Sequence, residues 1–466
     1  MQATLSYFSE RLAGVSSQTL QLAPQNSNSA TANQQIRIAL PSSSILNMRS
    51  CKLLLNVTTA GGGARLPPIS HLIDRYELSA GGSIIAQGCH LTNVLVAARA
   101  VLNGSKCDST LGHPEYVRAK SYVTGVEING TDPEVYSDAN GQTQFCINLA
   151  ELPGYFESIE PSLQDMSLAA DTVLTLFTAG NEVLSSCAGT ALSIPTGGGL
   201  TGLTITADGA KDASYTMKNI RFQCEVIGFA SATIDELIAR RMSSVGYVES
   251  VFKSYQSFPD VHNASTKFNC ASQSLDKIYV VQRPTNFDTQ GGLHRVPGYK
   301  TRGAFTSAAA IPATQTAGAV VQDIGVPTYD IGGVLNTNSE RYVGKYFKFT
   351  QAGADAKYSL RINGTYIPST PLNATDMFAM SMNSVDKSYQ HSLTLHQYLD
   401  SFFVQAFSFG LPNDSVRFLD GVDSRGISLQ GSYETTGVTA GTPVVLWTES
   451  TSSLRQGVGR SSQVIN

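Results

Sequence analysis

The sequence predicts an all-β protein made of two tandem β-sandwich domains with a few short helices, and three observations carry that expectation. Most of the chain reads as short runs with period-two alternation or β-branched enrichment, separated by Gly, Pro, Asn and Asp. One segment of the first half recurs without gaps in the second. The length, 466 residues, suits two or three domains of roughly 100–200 residues, each large enough for a core without disulfides.

Taken in order, the chain divides into an N-terminal arm (1–35), a first domain (36–230), a linker helix (231–245), a second domain (246–449) and a tail (450–466). Residues Gln21 to Gln35, including Asn26, Ser27, Asn28, Ser29 and Thr31, have no apolar periodicity. They are expected to be ordered only by neighbouring molecules or the inner side of an assembly. Strands are expected at Lys52 to Val57, Val123 to Ile128, Thr172 to Phe177, Asn219 to Phe229, Lys277 to Gln282, Tyr342 to Thr350 and Pro443 to Thr448. A first helix is expected near Leu91 to Leu102, where Leu91, Val94, Leu95, Ala98, Val101 and Leu102 share one face and Gly104 stops it. A second begins at the N-cap candidate Asn373 and carries Met377, Met380 and Val385. The third, Thr233 to Met242, opens with the capping box Thr233 to Glu236 and ends in Arg240 and Arg241, which suit a helix C-terminus. Its place at mid-chain, between two strands, makes it the linker. The tail holds Arg455 and Arg460 and is expected to be flexible or to touch a neighbour or a genome.

The repeat aligns Tyr76 to Gln87 with Tyr358 to Ser369. Tyr76 matches Tyr358, Leu78 matches Leu360, Gly82 matches Gly364 and Ile85 matches Ile367. Each copy places a two-residue Gly-containing turn, Gly81-Gly82 or Asn363-Gly364, between alternating arms, which is the tight-hairpin signal. Each hairpin then runs into a predicted helix. Domains of this size with about eight antiparallel strands fit the jelly roll, which tolerates long insertions. Two stretches read as such insertions, Ser185 to Ala213 and Arg283 to Ser339.

Composition narrows the function classes. Only 15% of residues are charged, against about 25% in ordinary soluble proteins, and the formal charge is −4. Neither a basic nucleic-acid coat nor an acidic tail fits. The seven cysteines, Cys51, Cys89, Cys107, Cys146, Cys187, Cys224 and Cys270, show no Cys-x-x-Cys spacing, so isolated thiols made in a reducing compartment are expected. No secretory leader and no window of ~18 apolar residues occurs, and a soluble chain is expected.

No linear signature of catalytic or ligand chemistry stands out in the sequence. Gly197, Gly199 and Gly202 spell G-x-G-x-x-G, but a strand-like stretch follows instead of the helix that a dinucleotide site needs. The histidines are His71, His90, His113, His262, His294, His391 and His396; the closest pair, five apart, shares neither a strand face nor a helix face. Carboxylates such as Asp212, Asp235 and Glu236 are scattered. No catalytic, cofactor-binding or metal site is expected, and no cofactor.

With a polar arm, two hairpin-then-helix domains, a connecting helix and a short tail, nearly the whole chain resembles the double-jelly-roll major capsid proteins of tailless icosahedral DNA viruses, the lineage of the adenovirus hexon and of large eukaryotic viruses and virophages. The resemblance implies a structural, non-enzymatic protein of the virion capsid, assembled inside the host cell. It implies three copies per pseudo-hexagonal capsomer, with penton and minor capsid proteins as further partners and no sequence-specific nucleic-acid binding. Low charge agrees with it, since charged residues are depleted at interface cores. The alternative reading is a carbohydrate-binding or adhesive β-sandwich, which requires an aromatic groove; Trp447, the sole tryptophan, lies in an apolar strand.

Overall fold

The computed structural model describes residues 15–42, 44–60, 64–103, 143–186, 213–229, 233–290, 293–295, 342–351, 355–384, 402–410, 421–425, 429–438 and 440–465, with single positions 353, 395, 398 and 399. The strand expected at Val123 to Ile128 lies outside the described residues, as do 187–212, 291–292 and 296–339 of the expected insertions.

The first half contains β1 (Val15–Leu22), β2 (Gln35–Ala39), β3 (Ile45–Ala60), β4 (Ile73–Ala80), β5 (Ser83–Gln87), α1 (Thr92–Asn103), β6 (Thr143–Asn148), β7 (Thr172–Thr178) and β8 (Ser214–Phe229). Helix α2 (Thr233–Val245) leads to β9 (Tyr247–His262), β10 (Ser265–Cys270), β11 (Leu275–Gln282), β12 (Lys357–Ile362), β13 (Thr365–Asn373), α3 (Ala374–Asn383), β14 (Val404–Ser408), β15 (Leu429–Thr436) and β16 (Thr442–Gly457). A last strand, β17 (Ser461–Ile465), folds back onto β16.

The sheet orders are β1-β8-β3-β6 and β2-β7-β4-β5 in the first half, and β9-β16-β11-β14 and β10-β15-β12-β13 in the second. Adding eight to each label of the first half reproduces the second. Strands one, eight, three and six facing two, seven, four and five is the two-sheet, Greek-key connectivity of a jelly roll. The repeated hairpins are β4-β5 and β12-β13. Gly81 (φ 57°) with Gly82 (φ 86°), and Asn363 (φ 48°) with Gly364 (φ 85°), have both central residues left-handed. That is the I′ geometry whose twist matches the flanking strands and which favours Gly and Asn. Tyr76, Leu78, Tyr358 and Leu360 are all buried, so the repeat preserves core positions.

All these pairings are antiparallel, so successive connections leave from alternate ends of each roll. The long ones, 88–142, 179–213 and 283–356, leave from one end, here the insertion end. The two tight hairpins, α2 and the chain entering β1 lie at the other, the turn end. Both halves point the same way. Met166–Leu168 lies against Val458–Arg460 at the turn end, and Asn181–Val183 against Lys345–Phe347 at the insertion end.

Three expectations are corrected. Residues 15–35 are not an arm that waits for neighbours: β1 pairs with Phe222–Phe229 along its whole length. Asn26 Nδ2 bonds Gln35 O, and its Oδ1 accepts from Arg37 N at 3.1 Å. Side-chain hydrogen bonds hold this stretch where apolar burial is lacking, so periodicity did not register it. Residues 450–465 are not a flexible tail either, because β16 continues to Gly457, β17 runs back along it, and Ser450 to Ser453 are buried. Small hydroxyls buried against partners read as tail in a hydropathy pattern. Finally, the strand expected over Tyr342 to Thr350 is a three-residue strand followed by a 3-10 turn, Lys345–Phe347.

Candidate functional site: the seam between the rolls and the two ends

The broadest built surface is internal. On β11, Ile278 and Val280 enter the second roll's own core, while Tyr279 and Val281 join the core of the first half. On β16, Val444 and Leu446 point inward and Val445 and Trp447 point to the seam; Val404 and Ala406 of β14 do the same. Both faces of β11, β14 and the middle of β16 are buried. Ile278 to Val281 and Val444 to Trp447 therefore read as continuous apolar runs and not as alternating ones, as doubly covered strands do.

Across the seam the first half offers α1, the 3-10 turn Ile69–Leu72 and the short helix Tyr155–Ser158. Tyr155 meets Phe252 edge-on at 5.3 Å, and His71 packs on Phe347 at 4.7 Å. Backbone bonds run both ways between Glu160 and Val251, at 2.8 and 2.9 Å. Near the insertion end, Gln290 accepts from Ala213 N at 3.0 Å and donates to Asn181 O at 2.8 Å.

A charged network crosses the same region. Arg99 makes a bidentate pair with Glu157, at 2.6 and 2.7 Å, and lies over the Tyr255 ring. Tyr255 donates to Glu449 at 2.9 Å. Lys253 Nζ donates to Asp276 Oδ2 at 2.8 Å and to Thr451 Oγ1 at 2.9 Å, and Ser274 and Thr451 also donate to Asp276, each at 2.7 Å. Burial alone would raise the Glu449 carboxyl, but the charges of Lys277, Arg99 and Lys253 and the Tyr255 hydroxyl outweigh it and hold it below the usual range. Burial likewise opposes the charge on Arg99, and Glu157 outweighs it. Arg283 differs. It is stacked between Phe287 and Tyr346, at 3.6 and 4.2 Å, and its Nη2 donates to Tyr346 O; among the described residues Nε and Nη1 have no partner, and burial lowers its pKa.

The residues singled out for chemistry do not converge. His262 is buried between Thr266 and Thr435, at 2.9 and 2.5 Å, with burial lowering its pKa. His90 pairs with Asp74 at 3.0 Å, and His294 lies in a three-residue strand. Asp235 and Glu236 are in the first turn of α2. Gly197, Gly199, Gly202, His113, His391, His396 and Asp212 lie outside the described residues. Among the described residues, no group of three His, Cys, Asp or Glu is placed to hold a metal. Trp447 is fully buried in the seam and so offers no platform to a carbohydrate.

Sequence reasoning missed Arg99, Glu157, Lys253, Asp276, Glu449 and Arg283, because their partners lie far away in the chain. It also missed a surface bias. Among the described residues, the exposed large apolar side chains are Ile84, Leu163, Val245, Val261, Tyr366 and Val422, and all but Val261 lie at the turn end.

No family model and no curated protein sequence matches the chain. Among solved structures, the fold is similar to a chain in the quasi-atomic model of the PBCV-1 virus capsid, with a TM-score of 0.56 and 12% identity over 99% of both chains. It is similar to VP54 of PBCV-1, fitted into a reconstruction of the virophage Sputnik, with a TM-score of 0.53 and 13% identity over 99% of both chains. It is also similar to the Faustovirus major capsid protein, with a TM-score of 0.51 and 11% identity over 95% of this chain and 91% of that one. The shared feature is the double-jelly-roll fold.

Proposed function

We propose that the chain is the structural unit of an icosahedral viral shell, a major capsid protein that acts by self-assembly and not by catalysis. The observation that carries this reading is the pair of topologically identical rolls, fixed side by side with the same polarity by a seam that is apolar and charge-matched. Three copies of such a unit present six similar blocks, so closed three-fold symmetry tiles a hexagonal net without six identical subunits. The structures of similar fold are capsid proteins, which supports the reading. The apolar side chains at the turn end suit contacts with penton or minor capsid proteins, and the five free cysteines among the described residues suit assembly inside the host cell. Negative-stain microscopy of the purified protein is the test: trimers of hexagonal outline are expected, and a stable monomer at high concentration overturns the proposal.

A further inference from the structure

Cysteines that stand alone along the sequence do not all stand alone in the fold. On the β3-β8 ladder Leu53 faces Phe222 and Lys52 faces Gln223, and the next residue on each strand is Cys51 and Cys224. Leu53, Phe222, Cys51 and Cys224 are all buried. Side chains alternate along a strand, so both thiols point into the core of the first roll, beside the Leu53-Phe222 pair. A bulge begins at this point, where residues 48–51 stand opposite Cys224 alone before Asn47 faces Glu225. A bulged strand is locally unpaired, which leaves Cys51 room to adjust. Its Sγ makes a contact of 3.8 Å with Asn47 O, too long to hold it firmly. Burial raises both thiols, and the charge of Cys224 raises Cys51 further, so the two sulfurs feel each other.

We infer that Cys51 and Cys224 form an oxidation site, which a peroxide converts into a disulfide that staples β3 to β8 once the protein has left a reducing compartment. Residues facing each other on antiparallel strands have Cα atoms about 4.5–5.5 Å apart, inside the span of about 4.4–6.8 Å that a disulfide bridges. One thiol is oxidised by the peroxide to a sulfenic acid, releasing a water; the second displaces the sulfenic hydroxyl, forming the S–S bond and releasing another. The pair loses two electrons, and one peroxide is reduced to two waters. Burial sets the timing. Both thiols stay protonated and away from solvent, so oxidation is slow and is outrun inside a reducing cell, while the finished bond is sheltered from attacking thiols by the same core. The staple closes a loop spanning most of the first roll, and a long loop is where a cross-link constrains the unfolded chain most. The other described cysteines meet different partners: Cys89 lies against Thr92, Cys146 faces Leu54 and Cys270 faces Leu429.

The full chain, purified with reductant and then freed of it, is exposed to hydrogen peroxide, digested without reductant and read by peptide mass spectrometry. A peptide linking Cys51 to Cys224 is expected to accumulate over hours, together with a rise in thermal midpoint of about 5 °C. The double variant Cys51→Val, Cys224→Ala carries the same methionines through the same treatment and is expected to show no rise. Circular dichroism checks its fold, and Cys224→Ser replaces it if it does not fold. Thiols that remain reduced or end as sulfinic acids, a link to another cysteine, or the expected link without a thermal rise each overturn the inference. None of these results touches the self-assembly reading, which the microscopy tests separately.

Discussion

Lys253 is where the seam is most exposed to a single substitution. Lys253→Met removes the ammonium held at 2.8 Å from Asp276 and 2.9 Å from Thr451. The two side chains of the ion pair are 10% and 5% exposed, so water does not replace the lost cation. A buried carboxylate stripped of its partner costs about 3–5 kcal/mol, against about 0–1 kcal/mol for an exposed pair. Ser274 and Thr451 still donate to Asp276, which places the expected loss near the lower bound, about 3 kcal/mol. Adding Asp276→Leu removes the orphaned charge and is expected to recover most of it, giving a coupling of about 2 kcal/mol in the double-mutant cycle. The assay is urea unfolding followed by the fluorescence of Trp447, the sole tryptophan and a member of the seam. A chain of this size is analysed on its first transition alone. A single-mutant loss below about 1 kcal/mol, or a double mutant as unstable as the sum of the singles, would refute the reasoning.

Three further outcomes are expected. Gly154 has φ 117°, and a Cβ there meets the Tyr76 hydroxyl, whereas Gly82 (φ 86°) has open space around it. Gly154→Ala is therefore expected to lower the thermal midpoint more than Gly82→Ala, whose cost is backbone strain of about 1–3 kcal/mol alone; equal losses would show that the hydroxyl yields freely. Glu449 has a depressed folded-state pKa, so the unfolded chain binds its proton first. Its contribution is complete above the unfolded value of about 4.3 and is lost as pH falls through the lower folded value. The stability difference between wild type and Glu449→Gln is expected to shrink on acidification, and a pH-independent difference contradicts this. Arg283→Met removes a buried cation with two unpartnered nitrogens and is expected to fall within about 1 kcal/mol of wild type or to stabilise, whereas Arg99→Met strands Glu157 and costs more; chemical denaturation ranks the two.

What was readable in the sequence follows from where the signals are local. The I′ turns at Gly81-Gly82 and Asn363-Gly364 were legible because a two-residue loop with both φ positive restricts its residues. The cap of α3 was legible too, since Asn373 accepts from Asp376 N at 2.8 Å within one turn. Strand existence was legible from alternation, but the fate of polar stretches was not. Ser450 to Ser453 read as tail because hydropathy does not see Ser254 bonding Ser450 and Ser452 at 2.9 and 2.7 Å. The seam escaped for the same reason: Lys253 and Asp276 lie on separate strands, and the aromatic Tyr155 meets Phe252 from the other roll. No spacing rule connects them.

The unequal connections of the two rolls set what other molecules would distinguish on the assembly. The turn end is built from the same tight hairpins in both halves, so the proposed ring of three chains would repeat there nearly every sixth of a turn. At the insertion end the first roll departs after β5 and β7 and the second after β11, so the repeat there would be every third of a turn. A flat neighbour packed edge to edge would meet a hexagon, while a ligand approaching along the axis from the insertion side would meet a triangle. In that assembly one chain would separate how it is packed from how it is recognised, and loops could change on the second surface without disturbing the first.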